Sequence, residues 1–470
     1  VRPLARLRDW ALGLGSASAV PADRLVLLFV ALIALKFANW GWLIARVPGR
    51  VAFLANVAIQ FLAFGIFVVL IALSCRGRLP GWLRRLRLGR FMVVMPVLLV
   101  LLFGLVSASV ARSLVTDDLR IDDANAMAVC GAQAISVGHD PYLVSELSCL
   151  RRLGLSPVLA TPLRVGPLAK VDGYPSPAQI DSAVRVARAK GGTDSIFPGL
   201  GKPPLDALTM LPVARAPAQV RALWTLLAVV VFAGLLAVAA GWLWPAVLAV
   251  FLATYYIPGS ALNFASFGNA ESVAYLLMAL SVLWIKRPIV SGVCLGLALG
   301  SNELALFFLP AYLLICFPLA GPRRRLLGVG LALLIGVVPW LVRYPDALGV
   351  IFHSLSAPSF PLGYGPVVLV LGGVMKPPPS FLMMGLAAAA MVLIWVWGWR
   401  RPGWRVAASV LLLSAFWLSW RSLDEYMAQI PLLALVAIVG LLAPSGPAEQ
   451  VAPPSPAVGS QLPGPPVAQR

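Results

Sequence analysis

Apolar residues in this chain run in long, nearly unbroken stretches, without the one-in-two or one-in-3.6 alternation of half-buried strands and helices. The stretches recur from residue 25 to residue 443. About 20 apolar residues in a helix cross the roughly 30 Å hydrocarbon layer of a bilayer, and only closed hydrogen-bonded structures survive there. The pattern predicts helical spans at 25–45, 51–74, 91–112, 220–240, 242–257, 271–285, 289–301, 303–318, 326–342, 381–399, 405–420 and 430–444. Residues 289–301 and 303–318 are each short for a span, and read either as one long helix or as a hairpin buried among the others.

Charge decides between these two. The basic clusters are the N-terminus, the six arginines from Arg76 to Arg90, Lys286-Arg287, Arg323-Arg324-Arg325 and Arg400-Arg401-Arg405. All fall on one side only if 289–318 is a hairpin. By the positive-inside rule that side is the cytoplasm, with both termini on it. The first apolar run is flanked by Arg2, Arg6, Arg8 and Arg24, lacks a small-residue cleavage site and leads directly into a second run, so it reads as a span and not as a signal peptide.

Composition agrees. At 470 residues, 60% hydrophobic, 12% charged and a mean hydropathy of +0.89, the chain lies far outside the range of soluble domains and reads as a polytopic, all-α membrane protein. A net charge of +19 first suggests nucleic acid. The one large loop, 113–218, holds ten acidic and ten basic residues, so the excess sits in cytoplasmic turns that face anionic lipid headgroups. With no nucleic-acid motif and no basic-aromatic stripe, membrane lipids are the expected partner and nucleic acid is not.

That loop is also the expected extracytoplasmic region. It opens with Asp117, Asp118, Asp122 and Asp123, four carboxylates within seven positions just past a span. Asp122 or Asp123 then starts an alanine-rich run that Gly138 stops, the pattern of a helix with an aspartate cap and a glycine end. Each aspartate is therefore either a cap or a water-exposed carboxylate within reach of a substrate at the membrane surface. Cys130 and Cys149 would face an oxidising compartment, either bridged around the Asp-Pro-Tyr turn or as two buried thiols. Further on, Pro177 to Lys190 predicts a short helix, and 201–224 an amphipathic segment lying on the membrane.

The spans carry polar residues that lipid does not tolerate cheaply. Asn269 and Glu271 stand at the outer mouth of a helix, and Asn302 and Glu303 at the hairpin tip; such groups either line a substrate cavity or reach water. Arg343, His353, Arg421 and Tyr426 fall at the outer interface, where the planar guanidinium suits a phosphate and where an aromatic and basic belt is the plainer reading. Lys36, inside the first span, snorkels or pairs. Gly292, Gly296 and Gly300 recur every fourth residue and permit close helix packing. Two histidines without paired spacing build no metal site of the usual kind, and no cofactor is evident, divalent metal being left open. Nucleotide loops and a serine-hydrolase elbow are missing too.

Taken in order, "DDANAMAVCGAQAISVGHDPY" after a span, a Pro-Pro-Leu juxtamembrane segment, "SFGNAES", "GVCLGLALGSNELALFFLPAYLL" and "RSLDEYMAQIPLL" resemble the polyprenyl-phosphate-dependent glycosyltransferases of the GT-C superfamily, nearest to bacterial mannosyltransferase-like proteins. The resemblance covers 91–444. It implies a GT-C-like bundle of about twelve transmembrane helices with one large extracytoplasmic loop, in the bacterial plasma (inner) membrane. Residues 1–24 would be a cytoplasmic N-terminus, 25–90 two accessory helices with a basic loop, 91–444 the core, and 445–470 a disordered Pro/Ala-rich tail. The implied reaction moves a sugar, mannose in the nearest relatives, from a polyprenyl-phosphate donor to a hydroxyl on a lipid or glycan acceptor, with inversion. Asp123 or Asp122 would be the general base, Asp117 and Asp118 the reserves, and Arg343, Arg421, His353, Tyr426, Asn269, Glu271 and Glu303 would bind substrate or the donor phosphate. Gly268-Asn269 departs from the family's Gly-Gln, and Asn302-Glu303 stands where many members carry lysine, which weakens phosphate binding at the tip. A lipid-linked glycan flippase, with Glu303 and Lys36 lining its path, and a non-catalytic assembly subunit are the competing expectations.

Overall fold

The structure is a computed structural model that describes residues 22–39, 49–116, 123–144, 147–155, 174–189, 200–316, 318–319, 321–356, 362–419, 421–422 and 424–442. The described chain is helical, apart from a two-residue parallel pairing of β1 (Leu362–Gly363) with β2 (Arg421–Ser422). Asp117, Asp118, Asp122 and the tail 445–470 lie outside the described residues.

Helices occupy each of the apolar stretches. Five are long and apolar enough to cross a membrane: Arg50–Ser74, Leu88–Thr116, Ala218–Tyr256, Pro322–Arg343 and Phe381–Arg400. At most a third of each apolar window is buried within the protein, and side chains such as Val97, Val100, Leu101 and Phe103 point outward, as a lipid-facing surface requires. These features mark a membrane protein. The first helix, α1 (Ala22–Asn39), is at 18 residues two shorter than the shortest of these, and carries Asp23, Arg24 and Lys36. Lys36 donates to the carbonyl of Tyr256, and Arg24 is buried, donating to the carbonyls of Ser74 and Gly77. The guanidinium thus caps the open C-terminal end of α2 (Arg50–Ser74), where unpaired carbonyls attract a cation.

The third long helix is α3 (Met95–Thr116), extended at its start by a 3-10 turn. Beyond it the chain forms α4 (Asp123–Ser136), α5 (Leu147–Arg152), α6 (Pro177–Ala189) and α7 (Pro204–Met210) before entering α8 (Ala218–Ala240) and α9 (Trp244–Ala253). Gly138 ends α4 as its position suggests: at φ +79° it is left-handed, and its N–H bonds Ile135 O while that of His139 bonds Ala134 O. The segment 201–224 departs from expectation. Its first half does not lie on a surface: Ala207 and Met210, like Leu200 just before it, are fully buried, because α7 is wedged between α4 and the bundle, whereas Val220, Leu223 and Trp224 in its second half are exposed. Its Leu205 side chain fills the space that Gly300 and Gly336 leave open.

The remaining helices are α10 (Ala261–Ser266), α11 (Glu271–Leu283), α12 (Pro288–Ser301), α13 (Leu304–Cys316), α14 (Pro322–Gly336), α15 (Val338–Arg343), α16 (Ala347–Ser356), α17 (Val367–Leu371), α18 (Ser380–Arg400), α19 (Arg405–Leu411) and α20 (Asp424–Gly440). Helices α12 and α13 are separate elements broken at Asn302, whose extended backbone (φ −150°, ψ 141°) cannot continue a helix. They do not form a tight hairpin, since α12 packs mainly on α14 and α11. The central element is α20, in which Met427, Ala428, Ile430 and Leu432 to Val439 are all buried. Past its first turn it is apolar all round except for Gln429, whose amide donates to the Gly259 carbonyl at 2.9 Å.

The glycine stripe makes the contact of α12 with α14. A Cβ on Gly292 would sit 2.1 Å from the Arg325 carbonyl oxygen, and one on Gly328 would sit 2.2 Å from that of Ile289. Both obstacles are backbone, so neither can swing aside. Replacing Gly292 with valine is expected to cost about 1–3 kcal/mol of overpacking. Thermal unfolding of the detergent-solubilised variant should show a lowered midpoint; an unchanged midpoint would contradict this contact.

Candidate functional site

Lys202 stands two residues ahead of α7, between Gly201 and Pro203, and is only 6% exposed. Its Nζ forms an ion pair with Oε1 of Glu271, itself 5% exposed, at the first turn of α11. The Tyr275 hydroxyl, one turn along, donates to the other oxygen of Glu271 at 3.1 Å. Asp206, 1% exposed on α7, and Glu303, at the break between α12 and α13, also act electrostatically on Lys202. Burial lowers the Lys202 pKa, but Glu271, Asp206 and Glu303 together raise it well above its ordinary value, so the ammonium is held charged. Oε2 of Glu303 is buried and accepts no hydrogen bond among the described residues.

Local chemistry shapes the turn beneath. Gly268 ends α10 at φ +77°, and a Cβ there would meet the Ala222 backbone nitrogen at 3.1 Å, so both conformation and space favour glycine. Asn269 Oδ1 accepts from the Glu271 N–H at 2.9 Å, and Asn302 Oδ1 from the Leu304 N–H at 2.7 Å. Each asparagine side chain therefore satisfies a backbone N–H at the start of the helix that follows, which fixes the turn ahead of it.

Asp123 is the first residue of α4 and half-buried. Two positions on, the Asn125 amide donates to the Phe267 carbonyl at 3.2 Å, which ties the start of α4 to the turn bearing Gly268 and Glu271. Tyr426 packs on Phe416, ring centroids 4.9 Å apart, and with Glu425 it lies within electrostatic reach of Tyr275. Arg343 is different: it is exposed, its guanidinium carbon 5.5 Å from the Tyr344 ring centroid. Tyr344 in turn packs against Tyr142, whose hydroxyl donates to the Lys202 carbonyl at 3.4 Å. Burial, and the charges of Asp140 and Asp206, push the Tyr142 phenol up and keep it protonated. Arg343 thus lies on the rim and not within the cluster. The side chains of His353 and Arg421 lie outside the described residues.

Four segments distant in sequence therefore supply one polar set: Lys202 with α7, the start of α11, the α12–α13 break and the start of α20, while the start of α4 is tied to the neighbouring turn through Asn125. Of its members Glu271, Glu303 and Tyr426 were expected; Lys202 and Asp206 were not. Their one sequence signal is a lysine and an aspartate four residues apart on either side of a Pro-Pro pair, in a segment otherwise uncharged from 200 to 214. Cys130 and Cys149 form a disulfide that joins α4 to α5. Among the described residues no three His, Cys, Asp or Glu side chains are grouped to hold a metal ion.

With three carboxylates to one ammonium, the set suits a neutral, hydroxyl-rich group better than an anion. Replacing Lys202 with methionine strands those carboxylates without their cation and is expected to cost about 3–5 kcal/mol, with the Lys202→Met, Glu271→Gln pair losing less than the single variant. Because the folded pKa of Lys202 is raised, its contribution is full below the unfolded value of about 10.4 and declines only as pH rises through the folded value. Denaturation of wild type and Lys202→Met between neutrality and about pH 10 should therefore show a constant gap; a gap that closes near neutrality would contradict the pairing. Comparison of the chain with protein-family models, curated proteins and solved structures finds no match.

Proposed function

We propose that the protein is a membrane glycosyltransferase of the GT-C type. It would move a sugar, with mannose the first candidate, from a polyprenyl-phosphate donor to a lipid or glycan hydroxyl on the extracytoplasmic face. The observation that carries the reading is the convergence just described. A half-buried carboxylate, Asp123, begins a helix tied to the same turn as a buried Lys202–Glu271 pair, and Glu303 offers an unfilled carboxylate oxygen beside that pair. Ionisable groups kept buried within a protein are candidates for a functional site, because burial exacts a high cost for keeping them charged.

The chemistry follows from the residues. Asp123 takes the proton of the acceptor hydroxyl as its oxygen attacks the anomeric carbon; the bond from that carbon to the phosphate oxygen breaks, and polyprenyl phosphate leaves. Glu303 Oε2 accepts a sugar hydroxyl, and Lys202, fixed by Glu271, donates to another. The departing phosphate stays at the rim, where Arg343 supplies positive charge outside the acidic cluster. In this reading all twelve helical stretches are spans in the bacterial plasma membrane, with both termini cytoplasmic and residues 113–218 outside.

The test is transfer of radiolabelled sugar from polyprenyl-phosphate donors in membranes expressing wild type, Asp123→Asn, Asp122→Asn and the double variant at equal levels. Removal of a general base should lower transfer by about 10²–10⁴-fold. Asp123→Asn is expected to show that loss. Wild-type transfer by the double variant would end the assignment. A flippase would instead tolerate both changes and lose lipid-linked glycan export on neutralising Glu303 or Lys36, and a non-catalytic subunit would transfer nothing in any form.

A further inference from the structure

A well-formed cleft lies away from the acidic cluster. It encloses about 580 Å³ between α4, α5 and the segment leading into α8, lined by Gln133, His139, Ser148, Arg152 and Arg215 and floored by the Cys130–Cys149 bridge. That volume falls in the range of sites for small organic ligands, and far exceeds what a bare ion needs. Gln133 lies ten residues into α4 from Asp123, about 15 Å along the axis at 1.5 Å per residue, so this is a second place and not an extension of the first.

Its charge is of one sign. Arg152 reaches Gln133 Oε1 at 3.5 Å and Arg215 reaches Ser136 Oγ at 3.1 Å. Gln133 and Ser136 are three apart, hence on one face of α4, so the two guanidiniums approach that face from opposite walls. Neither is paired with a carboxylate among the described residues, and no carboxylate there lines the cleft. Each contact engages one N–H of a group that has five. The Gln133 amide is fixed by donating to the Ala214 carbonyl at 2.8 Å, which sets its oxygen toward Arg152. The carbonyls of Ala134 and Ile135, which would otherwise repel an anion at the end of α4, are covered by the N–H groups of Val137, Gly138 and His139.

We infer that this cleft binds a phosphate-bearing ligand, with Arg152 and Arg215 as its two forks. Planar guanidiniums matched to tetrahedral oxygens favour phosphate, and the remaining volume admits a sugar- or headgroup-sized substituent. Arg215 stands three residues before α8, one of the helices long and apolar enough to cross a membrane, so the cleft opens at the level where phosphates of lipids and of soluble phosphosugars are both within reach. The disulfide holds the walls together, joining the helix that carries Gln133 to the helix that carries Arg152. The inference uses none of the residues assigned to sugar transfer and stands apart from that reading.

The test uses the full chain in phosphatidylcholine nanodiscs. One arm titrates glucose 1-phosphate by calorimetry; the other replaces part of the lipid with phosphatidylglycerol and scores retained lipid by native mass spectrometry. Saturable binding in either arm, weakened about tenfold or more by Arg152→Gln with Arg215→Gln, is the expected result, and the arm that responds identifies the source. Arg152→Lys with Arg215→Lys, which preserves charge and loses the fork, should fall between. Asp123→Asn should bind as wild type does, which separates this site from the transfer site. No binding in either arm, or wild-type binding by the double glutamine variant with its disulfide intact, would overturn the inference.

Discussion

The Lys202–Glu271 pair is the constraint around which the rest of the site is arranged. An ammonium placed where water is excluded loses its hydration, and only nearby carboxylates make that position tenable. Here they come from α11, α7 and the α12–α13 break, so the segment between the last turn of the 113–218 region and α8 has one acceptable position. Its Pro-Pro pair stiffens the backbone on the far side of the lysine, and Leu205 enters the notch at Gly300 and Gly336. Electrostatics chooses the place, and packing makes it specific.

The same division of labour appears in the bundle. Helices that meet lipid keep broad apolar faces and gain little from the hydrophobic effect in meeting one another, so contact depends on how closely backbones approach. Gly292 and Gly328 allow that approach from opposite sides of one interface. Polar groups are then left for element ends: Arg24 on the carbonyls after α2, Asn269 and Asn302 on the N–H groups opening α11 and α13. Glu303 Oε2 is different: it is buried and accepts no hydrogen bond among the described residues.

What the sequence makes legible follows the range of each interaction. The helical stretches, and the start and stop of α4 at Asp123 and Gly138, are encoded within a few residues and can be read there. The glycine stripe is equally local, although its counterpart Gly328 is apparent only once α14 is placed beside it. The ion pair is not legible, since Lys202 and Glu271 are 69 positions apart and nothing near either names the other. Residues 201–210 misled for a related reason: mixed apolar and charged residues look the same whether the polar ones face water or, as Lys202 and Asp206 do, a buried counter-charge. Arg343 is exposed beside the Tyr344 ring, at the edge of the cluster.

The placement of α20 carries a consequence for how the molecule is made. This most enclosed helix follows in chain order every other helix it packs against, including α1, α11 and α19. Its neighbours are therefore all synthesised before the helix they surround. Glu425 and Tyr426, at its leading end, then reach Tyr275 as it slots in. A chain interrupted before residue 424 would therefore lack the helix that fills its centre, and Glu425 and Tyr426 with it.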